Sequence, residues 1–148
     1  MAFDRAGIPH DTPEDMVRTP WWKYMINVGM NQASAVTGAP QHDVNRCIFQ
    51  TSADARALMR ALMNEVIALG KALEANLTAS DIDDGIDILQ TLSPEGKTSM
   101  LQDVEAGRQT EVAMFAGQVV ALGRQHGIAT PVNEALLHMI RVLEARRS

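Results

Sequence analysis

The sequence predicts an all-α fold in a single domain. Three observations carry that prediction. A capping hydroxyl stands before a proline at two points, Thr12-Pro13 and Thr130-Pro131, the arrangement that opens a helix. A long stretch beginning at Ser52 repeats its apolar residues at three- and four-residue steps. Alternating strand patterns are nearly absent. At 148 residues the chain has about the modal length for one domain, enough to bury a real core.

The elements follow in order. Thr12-Pro13-Glu14-Asp15 starts a first helix, and Pro20 can open another that runs through Trp21, Lys23 and Asn31 and stops near Gly38 and Pro40. From Ser52 to about Leu77 lies the clearest helix, with Leu58, Leu62, Val66, Leu69 and Leu73 on one side and Arg56, Arg60, Asn64 and Lys71 on the other. Ser80-Asp81 begins a shorter acidic helix that ends around Leu92. Ser93-Pro94-Glu95 then leads into a segment reading Ser-Met-Leu-Gln-Asp-Val-Glu-Ala-Gly-Arg-Gln-Thr-Glu from Ser99 to Glu111. A final helix is expected from Pro131 to about Arg146. Five to seven helices around one core are expected over residues 13–148. Residues 1–12 read as the tail of a connection arriving from something upstream, since Phe3-Asp-Arg-Ala-Gly-Ile-Pro has the character of an interior segment.

Bulk composition narrows the function. An apolar fraction of 46% with 21% charged residues is that of an ordinary globular protein, not a disordered one. Thirteen basic against eighteen acidic residues give a net charge of −5, which offers no general phosphate-binding surface, so nucleic acid is not expected as a partner. The single cysteine, Cys47, excludes an internal disulfide and fits a reducing compartment. No apolar run reaches the roughly 18 residues of a membrane span, and the N-terminus has no hydrophobic signal core. A cytoplasmic protein with no membrane partner is the expectation.

Two features break the pattern of a plain helical domain. At about 100° per residue, Lys23, Asn27 and Asn31 fall within roughly an 80° arc, while Trp22, Met25, Ile26, Gly29, Met30 and Ala33 spread over most of the opposite circumference. An exposed helix shows the reverse, a narrow apolar stripe and a wide polar one. Asparagine is also a poor helix-interior residue, because its amide competes for backbone hydrogen bonds. The stripe reads either as the wall of a cleft or as a solvated edge with an incidental lysine. Glu111 is the second feature. The helix after it puts Phe115, Gln118 and Leu122 on its own side, so a carboxylate there is partly dehydrated and needs a partner. A lysine from another helix would satisfy both charges. Alternatively, Glu111 lies in an exposed first turn and complements the helix dipole.

The segments Trp22-Lys-Tyr-Met-Ile-Asn-Val-Gly-Met-Asn31 and Ser99 to Glu111 together resemble the C-terminal, substrate-binding domain of ketopantoate reductase (2-dehydropantoate 2-reductase). Gly117, the stretch Gly127-Ile128-Ala-Thr-Pro131-Val-Asn133 and Glu144 extend the resemblance over nearly the whole chain. It implies a helical domain of the type also found at the C-terminus of 6-phosphogluconate dehydrogenase. Relative to the family, Lys23 matches the lysine that donates a proton to the substrate's keto oxygen. Asn27 and Asn31 match the polar pair one and two turns later, and Ser99 and Glu111 the serine and glutamate that complete the pocket. Lys23 and Glu111 are therefore the expected catalytic residues, and Asn27, Asn31 and Ser99 the expected contacts of a small 2-keto acid. The family's hydride donor is NADPH on an N-terminal Rossmann domain, and this chain contains no Gly-x-Gly-x-x-Gly. The expectation is thus that the chain alone binds no cofactor and is inactive. It is either the C-terminal part of a longer reductase or a stand-alone binding and dimerisation module. A homodimer is expected, with Ala113 to Ala121 as a small-residue stretch for close helix approach. One departure stands out: Glu95-Gly96-Lys97-Thr98 occupies the place where family members can carry an asparagine ahead of the Ser-Met-Leu-Gln-Asp motif.

Other residues read as structural. His10, His42, His126 and His138 show no metal-ligand spacing, and no metal site is expected. Met59, Met63, Met114 and Met139 lie at helical intervals and suit a core. Asp81, Asp83, Asp84 and Asp87 lack calcium-loop spacing and read as a solvated acidic face. Arg146-Arg147 complements a helix C-terminus, and Cys47 reads as a small buried residue.

Overall fold

A computed structural model describes residues 13–38, 51–91 and 97–146. Among these residues the chain forms six α-helices and one π turn, with no strand. The first, α1 (Pro13–Thr37), is one continuous helix of 25 residues with Pro20 inside it, where the sequence suggested two helices. Pro20 cannot donate to the carbonyl of Met16, a loss that breaks helices in a dry interior. Here Met16 and Val17 are 67% and 50% exposed, so water can take the missing bond. Further along, Met25, Val28 and Ala33 are fully buried.

α2 (Ala53–Ala72) starts at Ser52, whose Oγ accepts from the Ala55 amide at 3.1 Å. Its expected apolar face is in place: Leu62, Val66 and Leu69 are fully buried, joined by Met59 and Met63, while Arg60, Asn64 and Lys71 are exposed. The helix ends at Ala72, short of Leu77. Glu74 and Asn76 adopt left-handed φ values of 57° and 53°, and the Ala75 amide closes back on the Gly70 carbonyl at 2.8 Å. That turn brings Leu77 back into the core.

α3 (Ala79–Thr91) corrects the reading of its acidic residues. Asp81 is 2% exposed and pairs with Arg18 of α1, while its Oδ2 accepts from the Thr78 amide at 2.7 Å. It closes the start of α3 and fastens it to α1. Asp83 pairs with Arg60 at the surface. α4 (Ser99–Ala106) is opened by Thr98 and closed by Gly107 at φ 69°, a conformation that glycine adopts without strain. After a loop come the π turn (Ala113–Gly117), α5 (Gln118–His126) and α6 (Pro131–Ala145).

α1 lies at the centre, packed against α2, α3, α4, α6 and the π turn. α6 supplies Leu136, Leu137 and Ile140 to the same core. Its start is not capped by the Thr130 hydroxyl, which makes no such bond. The Glu65 carboxylate of α2 does that work, accepting from the Val132 amide at 2.8 Å and the Asn133 amide at 2.9 Å. Met114 and Met139, expected in the core, are 67% and 51% exposed. The connecting segment 1–12, the Ser93–Glu95 entry, Gly96, His10, His42, Cys47 and Arg147 lie outside the described residues.

Candidate functional site

The polar stripe of α1 crosses from surface to interior. Lys23 and Asn27 are exposed, and Asn31, two turns beyond Lys23, is only 7% exposed. Three neighbours fix this helix where the candidate residues sit. Arg18 anchors its N-terminal part to Asp81. Tyr24, adjacent to Lys23, reaches the π turn, where its hydroxyl is shared by the carbonyls of Met114 and Phe115, each at 3.0 Å. Ser34 lies 2.5 Å from the Thr98 hydroxyl.

The last contact belongs to an ordered chain of donors. The Leu101 amide donates to Thr98 Oγ1 at 3.2 Å, and Ser34 Oγ donates to the Asn31 carbonyl at 2.9 Å. The remaining proton, that of the Thr98 hydroxyl, therefore points at Ser34. One hydroxyl pair thus joins the N-terminus of α4, where Ser99 is exposed, to the turn of α1 that carries Asn31.

Glu111 sits just ahead of the π turn. Its carbonyl accepts from the Met114 amide at 2.9 Å and the Phe115 amide at 3.3 Å, and the Gly117 amide closes the wide turn on the Val112 carbonyl at 3.0 Å. The Tyr24 hydroxyl adds a donor to two carbonyls of this turn, of which that of Phe115 also accepts from the Gln118 amide. Burial pushes the Tyr24 phenol above its ordinary range, which keeps the hydroxyl protonated as a donor. The residue before Glu111 is fastened from the other side: Glu144 of α6 accepts from the Thr110 amide at 2.7 Å and its hydroxyl at 2.6 Å.

These contacts hold the start of α4 and the turn beside Glu111 each against α1. Two exposures bear on the candidate residues. Glu111 is exposed, which agrees with the second of its two readings, an acid at an exposed helix start, and not with a partly dehydrated carboxylate, because the chain enters the helix through a bend. Lys23 is exposed as well, and among the described residues neither makes an ion pair. Any dehydration of this lysine has to come from something laid over it. A shallow apolar cavity of about 340 Å³, lined by Pro20, Trp21, Tyr24, Gln118 and Leu122, runs along the same part of α1. Tyr24, Ser34 and Thr98 were not singled out by sequence. Thr98 before Ser99 carried a usable signal, a hydroxyl at an N-cap position, whereas Tyr24 and Ser34 read as ordinary members of an apolar helix.

Among the described residues no cluster of His, Cys, Asp or Glu suits a metal ion, and no helix is long and apolar enough to cross a membrane.

The model of one protein family, described as ketopantoate reductase PanE/ApbA C terminal, matches residues 15–144. A curated 2-dehydropantoate 2-reductase from Vibrio cholerae is 30% identical over 142 residues, covering 96% of this chain and 46% of that protein. One from Mesorhizobium japonicum is 32% identical over 143 residues, covering 97% and 42%. The crystal structure of 2-dehydropantoate 2-reductase from Methylococcus capsulatus superposes with a TM-score of 0.75 at 29% identity, over 99% of this chain and 49% of that one. The chain spans about half the length of the relatives it matches.

Proposed function

This chain belongs to the family of ketopantoate reductase C-terminal domains, and from that premise we propose that it is the substrate-binding and proton-donating part of a cytoplasmic, NADPH-dependent 2-dehydropantoate 2-reductase. The observation that carries the reading is the fastening of two further elements to α1. The helix bearing Lys23, Asn27 and Asn31 is tied through Thr98 to Ser99 and through Tyr24 to the turn beside Glu111.

The helices described here do not themselves fit a dinucleotide, for they include no strand–turn–helix unit and no glycine-rich phosphate loop. NADPH would be held on a Rossmann domain, the kind of domain that would account for the other half of the relatives' length, and would supply hydride to C2 of the keto acid. This chain's residues do the rest. The Lys23 ammonium lies on the open face of α1, where it can hydrogen-bond the keto oxygen, polarise the carbonyl and hand over a proton as negative charge develops there. Glu111 orients that lysine or holds a substrate hydroxyl. Asn27, Asn31 and Ser99 bond the remaining polar groups and so reject analogues that leave them unpaired. A covering domain would also exclude water from Lys23, which strengthens its interaction with the substrate oxygen. The assembled form in this reading is a homodimer.

The test is to assay the purified chain with 2-dehydropantoate and NADPH, alone and with a separately produced Rossmann domain of a relative. The expected result is no oxidation of NADPH by the chain alone and measurable oxidation when the second domain is added. Steady turnover by the chain alone would overturn the assignment of the cofactor to another domain.

A further inference from the structure

α1 is apolar over most of its circumference. Met25, Ile26, Val28, Ala33 and Ala35 are buried, and Trp21, Trp22, Tyr24, Met30 and Val36 pack against the core. A helix with so wide an apolar surface has no hydrophobic stripe that selects one rotation about its axis. Yet the proposed site requires one rotation, because Lys23 and Asn27 have to face outward together.

A buried polar chain stands on the back of the same helix. Gln32, with no exposed surface, donates through Nε2 to Asn133 Oδ1 at 3.1 Å and to the Val28 carbonyl at 2.9 Å. Asn133, equally buried, donates through Nδ2 to Glu65 Oε2 at 2.6 Å and to the Leu62 carbonyl at 3.3 Å. Glu65 in turn accepts from the two amides that open α6. Lys23 and Gln32 are about two and a half turns apart, so at about 100° per residue they point to opposite sides of α1. Gln32 therefore adds a hold on where Lys23 points, from within the core, to those that Arg18, Tyr24 and Ser34 supply.

The chain of bonds is incomplete in an informative way. Gln32 Oε1 is buried with no hydrogen-bond donor among the described residues. A buried carbonyl without a partner is costly and offsets much of what the two Nε2 bonds contribute. An apolar side chain of similar shape would avoid that cost but leave Asn133 Oδ1 without this donor. Keeping an amide there makes little sense as a source of stability and good sense as a device that distinguishes one arrangement from its neighbours, the use best attested for buried polar residues.

We propose that Gln32 and Asn133, with Glu65 holding Asn133 in place, are positioning residues that help set the rotational register of α1 and hence the outward direction of Lys23 and Asn27. The consequence for a 2-keto acid rests on the function proposed above, whereas the register itself does not. Trp21 and Trp22 are the only two tryptophans and both lie on α1, so their indole N–H signals in a ¹H–¹⁵N spectrum report its rotation.

In the Gln32→Met chain the helical circular dichroism and a cooperative melt should persist, while the two indole signals of the parent split into more than two. An Ile26→Ala chain, weakened in the core of the same helix but with the polar chain intact, should keep two. If the native register falls to about a tenth of the population, the apparent affinity for 2-dehydropantoate falls roughly tenfold in the two-domain complex. A Gln32→Met chain that keeps one unchanged pair of signals would overturn the proposal. So would one that unfolds, since the network would then be supplying stability, or an Ile26→Ala chain that splits its signals equally. Splitting in Gln32→Met without any keto-acid binding by the parent complex would sustain the register and sink the proposed function instead.

Discussion

Lys23 and Tyr24 stand side by side on α1 with opposite tasks, one open to solvent and one half-buried against the π turn. For Lys23 the expected outcome of Lys23→Ala is a fall in kcat of about 10²–10⁴-fold in the two-domain complex, the usual contribution of a positioned general acid. Because the side chain is exposed, the variant should fold as the parent does, and circular dichroism checks that. Lys23→Arg should not restore the rate, since a guanidinium holds its proton far above the working range. Tyr24 is the residue with a clear pH signature. Burial raises its folded-state pKa above the ordinary phenol value of 10.0, so the unfolded chain loses this proton first. Its contribution is fully present below pH 10 and is lost as pH rises above that value, with a slope approaching about 1.4 kcal/mol per pH unit. Denaturant titrations at pH 8 to 11 should show this fall in the parent and a shallower one in Tyr24→Phe. Parallel curves for the two chains would remove Tyr24 as the cause. At this scale the sequence shows Lys23 and Asn27 because polar residues on an apolar helix are conspicuous. It does not show Tyr24, whose partners are backbone carbonyls 90 and 91 positions away and leave no side-chain pattern to read.

The helices are legible wherever their own residues decide them. α2 follows its apolar period, and the start of α4 follows a hydroxyl at Thr98. Where tertiary partners decide, the reading fails. Two proposed helices are one because the carbonyl orphaned by Pro20 lies on an exposed stretch, and α6 is capped by a carboxylate from α2 rather than by its own threonine. Those partners make specific energetic predictions. Glu65→Ala leaves the Val132 and Asn133 amides and the Asn133 side chain without their acceptor, and should cost about 3 kcal/mol in denaturant unfolding. A cost below about 0.5 kcal/mol would show that water caps α6 as well. The end of α5 offers a different test. A Cβ at Gly123 would come within 2.7 Å of the Ile128 carbonyl oxygen and 2.8 Å of Thr130 Cγ2. A backbone oxygen held by a turn yields less readily than a flexible side chain, so Gly123→Ala should cost roughly 2–3 kcal/mol. Differential scanning calorimetry would read it as a lower melting temperature.

Across the whole molecule, two apolar surfaces lie toward opposite ends of α1. One runs beside Lys23 and comprises the cavity between Pro20, Trp21, Tyr24, Gln118 and Leu122, with Met16 and Val17 exposed nearby. The other, a cavity of about 350 Å³, is lined by Val36, His138, Met139, Val142 and Leu143. Val36 lies 16 positions beyond Pro20, or about 24 Å along the helix at about 1.5 Å per residue, so the two surfaces are separate patches. The small-residue stretch from Ala113 to Ala121 turns Ala116, Val119 and Val120 into the core, which leaves less of it for association than its composition suggests. α6 is better suited, because Leu136, Leu137 and Ile140 occupy its inner face while Met139 and Val142, 51% and 57% exposed, keep its outer face apolar too. Its charges are mixed, with Glu134 in the first turn paired to Arg124 and with Arg141, Glu144 and Arg146 toward the end. Two copies packed antiparallel along α6 would cover both pairs of apolar side chains. The proposed homodimer should therefore form through this face. Sedimentation equilibrium at micromolar concentration should return twice 16.1 kDa for the parent and 16.1 kDa for Val142→Glu, which places like charges in the middle of the contact. A parent mass of 16.1 kDa over the whole range would end the dimer, and a dimeric Val142→Glu would move it to another surface.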